Sequence, residues 1–339
     1  MNRSAREPWW VALRRRAWTV PFILVFFAVT TAALPLILVV ALGVDIVRRA
    51  RRGTRFVVVR GVLFGWVYLA VEVWALISLL FAWIVTGFGA WRSAELALTY
   101  RLQGRWAALL FGALRRIFSL GLEVEDDHVV RPGPVVLMVR HASMIDTLLP
   151  NNLVTRRHGL LLRYVLKNEL LYDPALDIAG HRLINHFVER TGDSAAQVEK
   201  VRDLSAGLTD REGVLIYPEG TRFTVEKRER VLQRLREIDP SRAERAERLH
   251  HTLPPRLGGP MALLDPLTTC DVVIMAHVGL DGLATVKHLL DGTVVGNRIK
   301  VRFWRIPAEE IPDDHEGRVD WLFDQWERVD AWIGSHRQP

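Results

Sequence analysis

Pro134-Val135-Val136-Leu137-Met138-Val139-Arg140-His141-Ala142-Ser143-Met144-Ile145-Asp146 is the stretch from which the rest of the chain can be read. Its first six residues are an apolar, valine-rich run opened by a proline, which predicts a buried strand over 134–139. Short runs of the same kind recur at 160–166, 213–217, 272–277 and 299–306. Segments with helical spacing of apolar residues lie at 197–208 and 319–333. Strands alternating with helices predict an α/β domain, a central and mostly parallel sheet flanked by helices.

Directly after the 134–139 run come His141 and Asp146. Histidine ordinarily titrates near neutrality, as a general base at neutral pH must. A carboxylate on its other ring nitrogen would fix the tautomer and stabilise the imidazolium formed on proton transfer. On a regular helix five residues place two side chains about 140° apart, so the pair meets only in a tight turn or a helix's first turn. The carboxyl end of a strand supplies such a turn. The spacing alone is weak. With 11 histidines, about one chain in two of this kind would carry it by chance. His315 and Asp320 repeat it without a preceding strand, after Pro312-Asp313-Asp314, and helix capping or surface charge accounts for them.

A second constellation, Tyr217-Pro218-Glu219-Gly220-Thr221-Arg222, closes the 213–217 run. Gly220 permits positive φ or close backbone approach, and Thr221 and Arg222 supply donors for an anion. Arg222 on a strand-end loop can grip a phosphate through both arms of its guanidinium. A plain strand-to-loop turn with a surface arginine is the alternative.

The N-terminal third has a different composition. From Ala17 to Val44 no residue of 28 is charged, and the stretch from Gly61 to Trp91 carries only Glu72. As a helix the first run is about 42 Å long against a hydrocarbon core of roughly 30 Å, so it must tilt or bend, with Pro21 and Pro35 as places to do so. Its length, Pro35 within it and the second run that follows argue against a cleaved signal peptide. Trp18, Trp66, Trp83 and Trp91 sit toward the ends of these runs, where amphipathic rings suit headgroups. Arginines cluster before, between and after the two runs. Either both runs span, or they form a re-entrant or monotopic hairpin that leaves every basic cluster on the cytoplasmic side of the cell membrane. Glu72 is then a functional intramembrane acid or faces a partner helix or water.

These features divide the chain into a membrane-anchoring helical hairpin over 1–92, a connecting amphipathic helix over 93–123 and the α/β domain over 124–339. Arg101, Arg105, Arg115 and Arg116 form the polar side of the connecting helix, which lies along a bilayer or packs on the domain's core. Within the domain, 226–250 is a charged helical insert, solvated or acting as a lid. The 45 Lys+Arg outnumber 38 Asp+Glu, for a formal net charge of +7. Because the basic residues flank apolar segments, the excess points to anionic lipid and not to nucleic acid. The single cysteine, Cys270, excludes an intrachain disulfide and a cysteine-based zinc cluster, and no histidine grouping predicts a metal.

Together the two motifs resemble those of the glycerolipid acyltransferases typified by bacterial 1-acylglycerol-3-phosphate acyltransferase. The 78 residues from His141 to Glu219 fit that family's spacing between H-x4-D and E-G-T-R. Lys167-Asn168-Glu169-Leu170 is similar to its K-x-E-L block, and Phe187-Val188-Glu189-Arg190 to its second block, with Glu189 in place of the usual Asp. Phe223-Thr224, Lys227 and Leu253-Pro254-Pro255-Arg256 look most like the lysocardiolipin and lysophosphatidic acid acyltransferase subgroup. Met275-Ala276-His277-Val278 departs from the fourth block, which often has a proline.

The resemblance implies transfer of a fatty acyl group from acyl-CoA or acyl carrier protein (acyl-ACP) to a lysophospholipid such as lysophosphatidic acid, with no bound cofactor. It implies His141 as base, Asp146 as its partner, and Arg222, Arg190 and Lys167 as phosphate grips beside Glu219, Gly220 and Thr221. No acyl-enzyme is required. Ser143 reads as turn polarity, Cys270 as a small hydrophobe, and His277 as a packed residue or a second acid or base. Two other functions use some of the same residues: a His-dependent lipid hydrolase with water as acceptor, and a non-catalytic basic scaffold on membranes.

Overall fold

The computed structural model describes residues 7–188, 194–266, 269–283 and 289–337. Among them seven strands form one sheet: β1 (Gly121–Glu125), β2 (Val135–Val139), β3 (Leu161–Lys167), β4 (His186–Val188), β5 (Glu212–Ile216), β6 (Asp271–Val278) and β7 (Arg298–Ile306). Their spatial order is β1-β7-β6-β2-β5-β3-β4. Only β6 and β7 pair antiparallel, so the mostly parallel α/β sheet expected from the sequence is present. β2 lies at the centre with all five residues buried, which is why it reads as an unbroken apolar run. β1 and β4, which no apolar run announced, lie at the two edges.

The two faces of the sheet carry separate cores. Val136 and Met138 point into one, covered by helices Gly258–Leu264 and His315–His336. Val135, Leu137 and Val139 point into the other, which includes Leu149, Leu153 and Val154 from a helix over 148–158. Each such fully buried side chain contributes roughly 1.5–3 kcal/mol through lost apolar surface. The charged segment 226–250 forms helices Val225–Ile238 and Pro240–Glu247, which place Leu232, Ala246 and Leu249 in the first core. Its Arg245 reaches Asp320, Asp324 and Glu327.

Before the sheet come α1 (Trp9–Arg52), α2 (Val58–Val85) and α3 (Arg92–Phe118). α1 and α2 are each long and apolar enough to cross a membrane. The helix runs through Pro21 and Pro35 and ends on Gly53 at φ 66°. The Asp45 carboxylate then accepts the amides of Val57, Val58 and Val59, capping α2 and folding it back along α1. Glu72, buried within α2, accepts the amide of Ala175 at 2.8 Å, so it faces the first turn of helix Pro174–Arg182. Both ends of α1 also touch the globular part. Arg15 and Arg16 bind Asp177, and Arg48 donates to the carbonyl of Leu290. α3 is packed inward, with Phe111, Leu114 and Phe118 in the second sheet core and Trp106 and Leu110 against α2.

Candidate active site

The parallel strands β6, β2, β5, β3 and β4 end along one edge, and the register of the sheet sets which motifs meet there. Met138 of β2 pairs with Ile216 of β5, and Val139 with Met275 of β6. His141 therefore emerges level with Glu219 on one side and His277 on the other. The contacts agree. Glu219 Oε1 accepts the amide of His141 at 2.8 Å, and the carbonyl of His141 accepts the amide of Phe223 at 2.9 Å. The two motifs, 78 residues apart in the chain, form one hydrogen-bonded unit.

Residues 141–146 wrap around the Asp146 carboxylate, which is fully buried. Oδ2 accepts the amides of Ala142 at 2.5 Å and Ser143 at 2.7 Å and lies 3.2 Å from His141 Nδ1. Oδ1 accepts the Ser143 hydroxyl at 2.5 Å. This is the tight turn that the spacing demands. Burial alone would raise the Asp146 carboxyl, but His277, His141 and Ser143 outweigh it and hold it below the usual carboxylate range. With Nδ1 turned to Asp146, Nε2 is the imidazole nitrogen left to take a proton. The His141 side chain is 12% exposed and its ring lies 4.6 Å from that of Tyr217, so it borders solvent on a protein wall.

Glu219 is a clamp. Its second oxygen accepts the amide of Leu253 at 3.0 Å, joining His141 to the 250–253 loop. That loop is held by Asp330 of helix His315–His336, which accepts the amides of His250, His251 and Thr252. Burial pushes the Glu219 carboxyl up to about 8, against the two amides and Arg140, which pull it down. Gly220 adopts φ 64°, and a Cβ there would lie 2.7 Å from Cδ of Arg256, so the glycine meets both a backbone and a steric requirement. The Thr221 hydroxyl and the Arg222 carbonyl accept from Lys227 Nζ at 3.2 and 3.0 Å.

Arranged this way, an imidazole with a carboxylate behind it lies beside a loop that carries Arg222 and is bordered by Lys227 and Arg256, which suits removal of a proton from a hydroxyl on an anionic substrate. Residues 121–248 match the family model described as Acyltransferase. These residues form an acyltransferase domain. A similar solved structure is the 1-acyl-sn-glycerophosphate (LPA) acyltransferase PlsC from Thermotoga maritima, 13% identical, with a TM-score of 0.45 and coverage of 79% of this chain and 100% of that one. No curated protein matches the sequence.

Of the other site residues expected from the sequence, Lys167 ends β3 on the same edge, and Arg190, with Glu189, lies outside the described residues. Ser143 is buried and donates its hydroxyl to Asp146, and Cys270 is buried in the first core with its thiol pushed up to about 12. Neither is presented as a nucleophile. His277 is fully buried, its Nε2 3.1 Å from the Arg140 carbonyl and 3.6 Å from Asp146 Oδ1. Burial pushes its imidazole down from the usual value, so it backs the carboxylate and does not face a substrate. Among the described residues no cluster of His, Cys, Asp or Glu could hold a metal ion.

Three supports were not legible as site residues. The buried Arg140 guanidinium ties the carbonyls of His277 and His251 to Asp281. Asp330 orders the 250–253 loop from more than 100 residues beyond the second motif. Arg256, exposed and lying over Gly220, adds a cation to the edge, and its place after Pro254-Pro255 was the only signal in the sequence.

Proposed function

We propose that this acyltransferase transfers a fatty acyl group from acyl-CoA or acyl-ACP to the free hydroxyl of lysophosphatidic acid or a related lysophospholipid. His141 Nε2 takes the hydroxyl proton as the oxygen attacks the thioester carbonyl. Collapse of the tetrahedral adduct breaks the C–S bond, and the imidazolium returns the proton to the leaving thiolate, giving ester and free thiol. Asp146 fixes the tautomer and stabilises the imidazolium. The observation that carries this reading is the contact of His141 Nδ1 with the buried Asp146, on a backbone bonded to both Glu219 and Phe223. A positioned base contributes about 10²–10⁴-fold. Arg222, Lys167 and Arg190 grip the acceptor's phosphate, joined by Arg256, while Glu219, Gly220 and Thr221 shape the loop.

We further propose that the hairpin of α1 and α2 lies within one leaflet, on the cytoplasmic side of the cell membrane. The 32 residues between Arg16 and Arg48 span about 48 Å of helix, yet both arginines bind the same globular part. Exposed Phe22, Val25, Val29, Leu36 and Val39 then meet lipid. This brings the strand edge to acceptors held in the bilayer.

Purified protein incubated with acyl-CoA or acyl-ACP and a panel of lysophospholipids tests the reaction. Acyl-acceptor ester formed in step with free thiol is expected. Free fatty acid without ester would assign a hydrolase, and lipid binding without turnover of any acyl donor would assign a scaffold.

A further inference from the structure

A groove of about 820 Å³ opens where α3 meets α2 and the helix over 148–158, and no residue of 140–146 or 217–222 lines it. Arg105, Leu109, Gly112 and Arg116 follow one face of α3 along it, and Arg115 and Arg156 complete its basic wall. No acidic residue lines it. Among the described residues none of these four arginines is ion-paired, whereas the neighbouring Arg157 binds Asp127 and Arg163 binds Glu212. Gly112 keeps the floor open, since a Cβ there would sit 3.2 Å from a terminal nitrogen of Arg116. Apart from Ser119 and Asn152, the rest of the wall is apolar, with Trp74 of α2, Phe111, Leu120 and the half-exposed Leu109.

Four like charges sharing one groove repel one another, and an anion bound among them relieves that repulsion. Guanidinium forks match phosphate oxygens, and an apolar wall beside them suits an acyl chain better than a free ion. The groove also adjoins α2, whose outer face exposes Ile77, Leu80, Phe81 and Ile84. The geometry points to a second lipid site: the groove binds the phosphate headgroup of an anionic phospholipid, with its chain against Trp74 and Leu109, apart from the edge where acyl transfer takes place. It anchors the α3 side of the protein to negatively charged membrane.

The full-length protein is tested by flotation with vesicles of phosphatidylcholine alone and with about one fifth phosphatidylglycerol. Replacing Arg105, Arg115, Arg116 and Arg156 together by Gln lowers binding to the anionic vesicles by roughly tenfold or more, with binding to phosphatidylcholine unchanged. Equal charge removal at the exposed Arg211, Arg230, Arg234 and Arg248 lowers it no more than about twofold. The four-fold Arg→Lys variant, which keeps the charge, retains most of the binding. Turnover in zwitterionic micelles stays within about twofold of wild type for the Gln variant, which separates this site from the transfer reaction. Equal losses from both sets of Gln substitutions would overturn the proposal. So would millimolar inorganic phosphate abolishing vesicle binding, which assigns a free-phosphate site, or loss of micellar turnover, which places the groove on the substrate path.

Discussion

His141/Asp146 and His315/Asp320 have the same spacing and opposite surroundings. The first pair sits where a buried strand ends, and its carboxylate is enclosed by two amides, a hydroxyl and an imidazole. The second lies on the exposed face of helix His315–His336, where Asp314 caps the first turn and Asp320 is taken by Arg245. Five residues of spacing thus specify nothing until the backbone decides whether they form a turn or a helix. What sets the first pair apart is the framework that removes its carboxylate from water and fills each of its oxygens.

Substitutions in the two pairs should separate accordingly. The largest effect is expected from His141→Ala, which lowers kcat/KM for acyl transfer by about 10²–10⁴-fold, while His315→Ala stays within about twofold. Comparable losses from both would erase the distinction. Glu219→Gln comes next. It leaves an amide NH2 facing the amide of His141 or Leu253, and turnover should fall by roughly 10–100-fold.

The same residue gives the comparison a pH signature. Its carboxyl stands at about 8 in the fold against about 4.5 when exposed, so between those values the folded state holds the extra proton. Stability therefore falls as pH rises through that window, and thermal melts of Glu219→Gln against wild type should show the slope reduced. An unchanged slope would remove Glu219 from the account. Ser143→Ala is expected to cost about three- to tenfold in turnover through the lost bond to Asp146, far short of His141→Ala. A loss as deep as that of His141→Ala would make Ser143 a nucleophile. Asp320→Asn, whose partner Arg245 has two further carboxylates, should leave turnover within about twofold.

The central strands were legible because parallel strands covered on both faces are apolar runs, as β2 is throughout and β6 is from Val272 to Ala276. β1 was not, since Gly121-Leu122-Glu123-Val124-Glu125 is an edge strand that pairs its glutamates with Arg298, Lys300 and Arg302 of β7. β4 is only three residues long, too short for any periodic signal. The two site motifs could be read, but not the bond between them, because the adjacency of β2 and β5 is a property of the sheet order. The same holds for Arg140, Asp330 and Arg256, which act through partners distant in the chain. The charged segment 226–250 reads as a solvated insert in isolation, and only the acidic face of helix His315–His336 explains how it packs.

In the proposed reaction His141 and Asp146 act as one unit on the acceptor's proton. Acyl transfer measured side by side for His141→Ala, Asp146→Asn and the double variant tests this most directly. A double variant no slower than His141→Ala, within about threefold, is the predicted result, since the carboxylate acts only through the imidazole. Losses that multiply would show two independent contributions and contradict it.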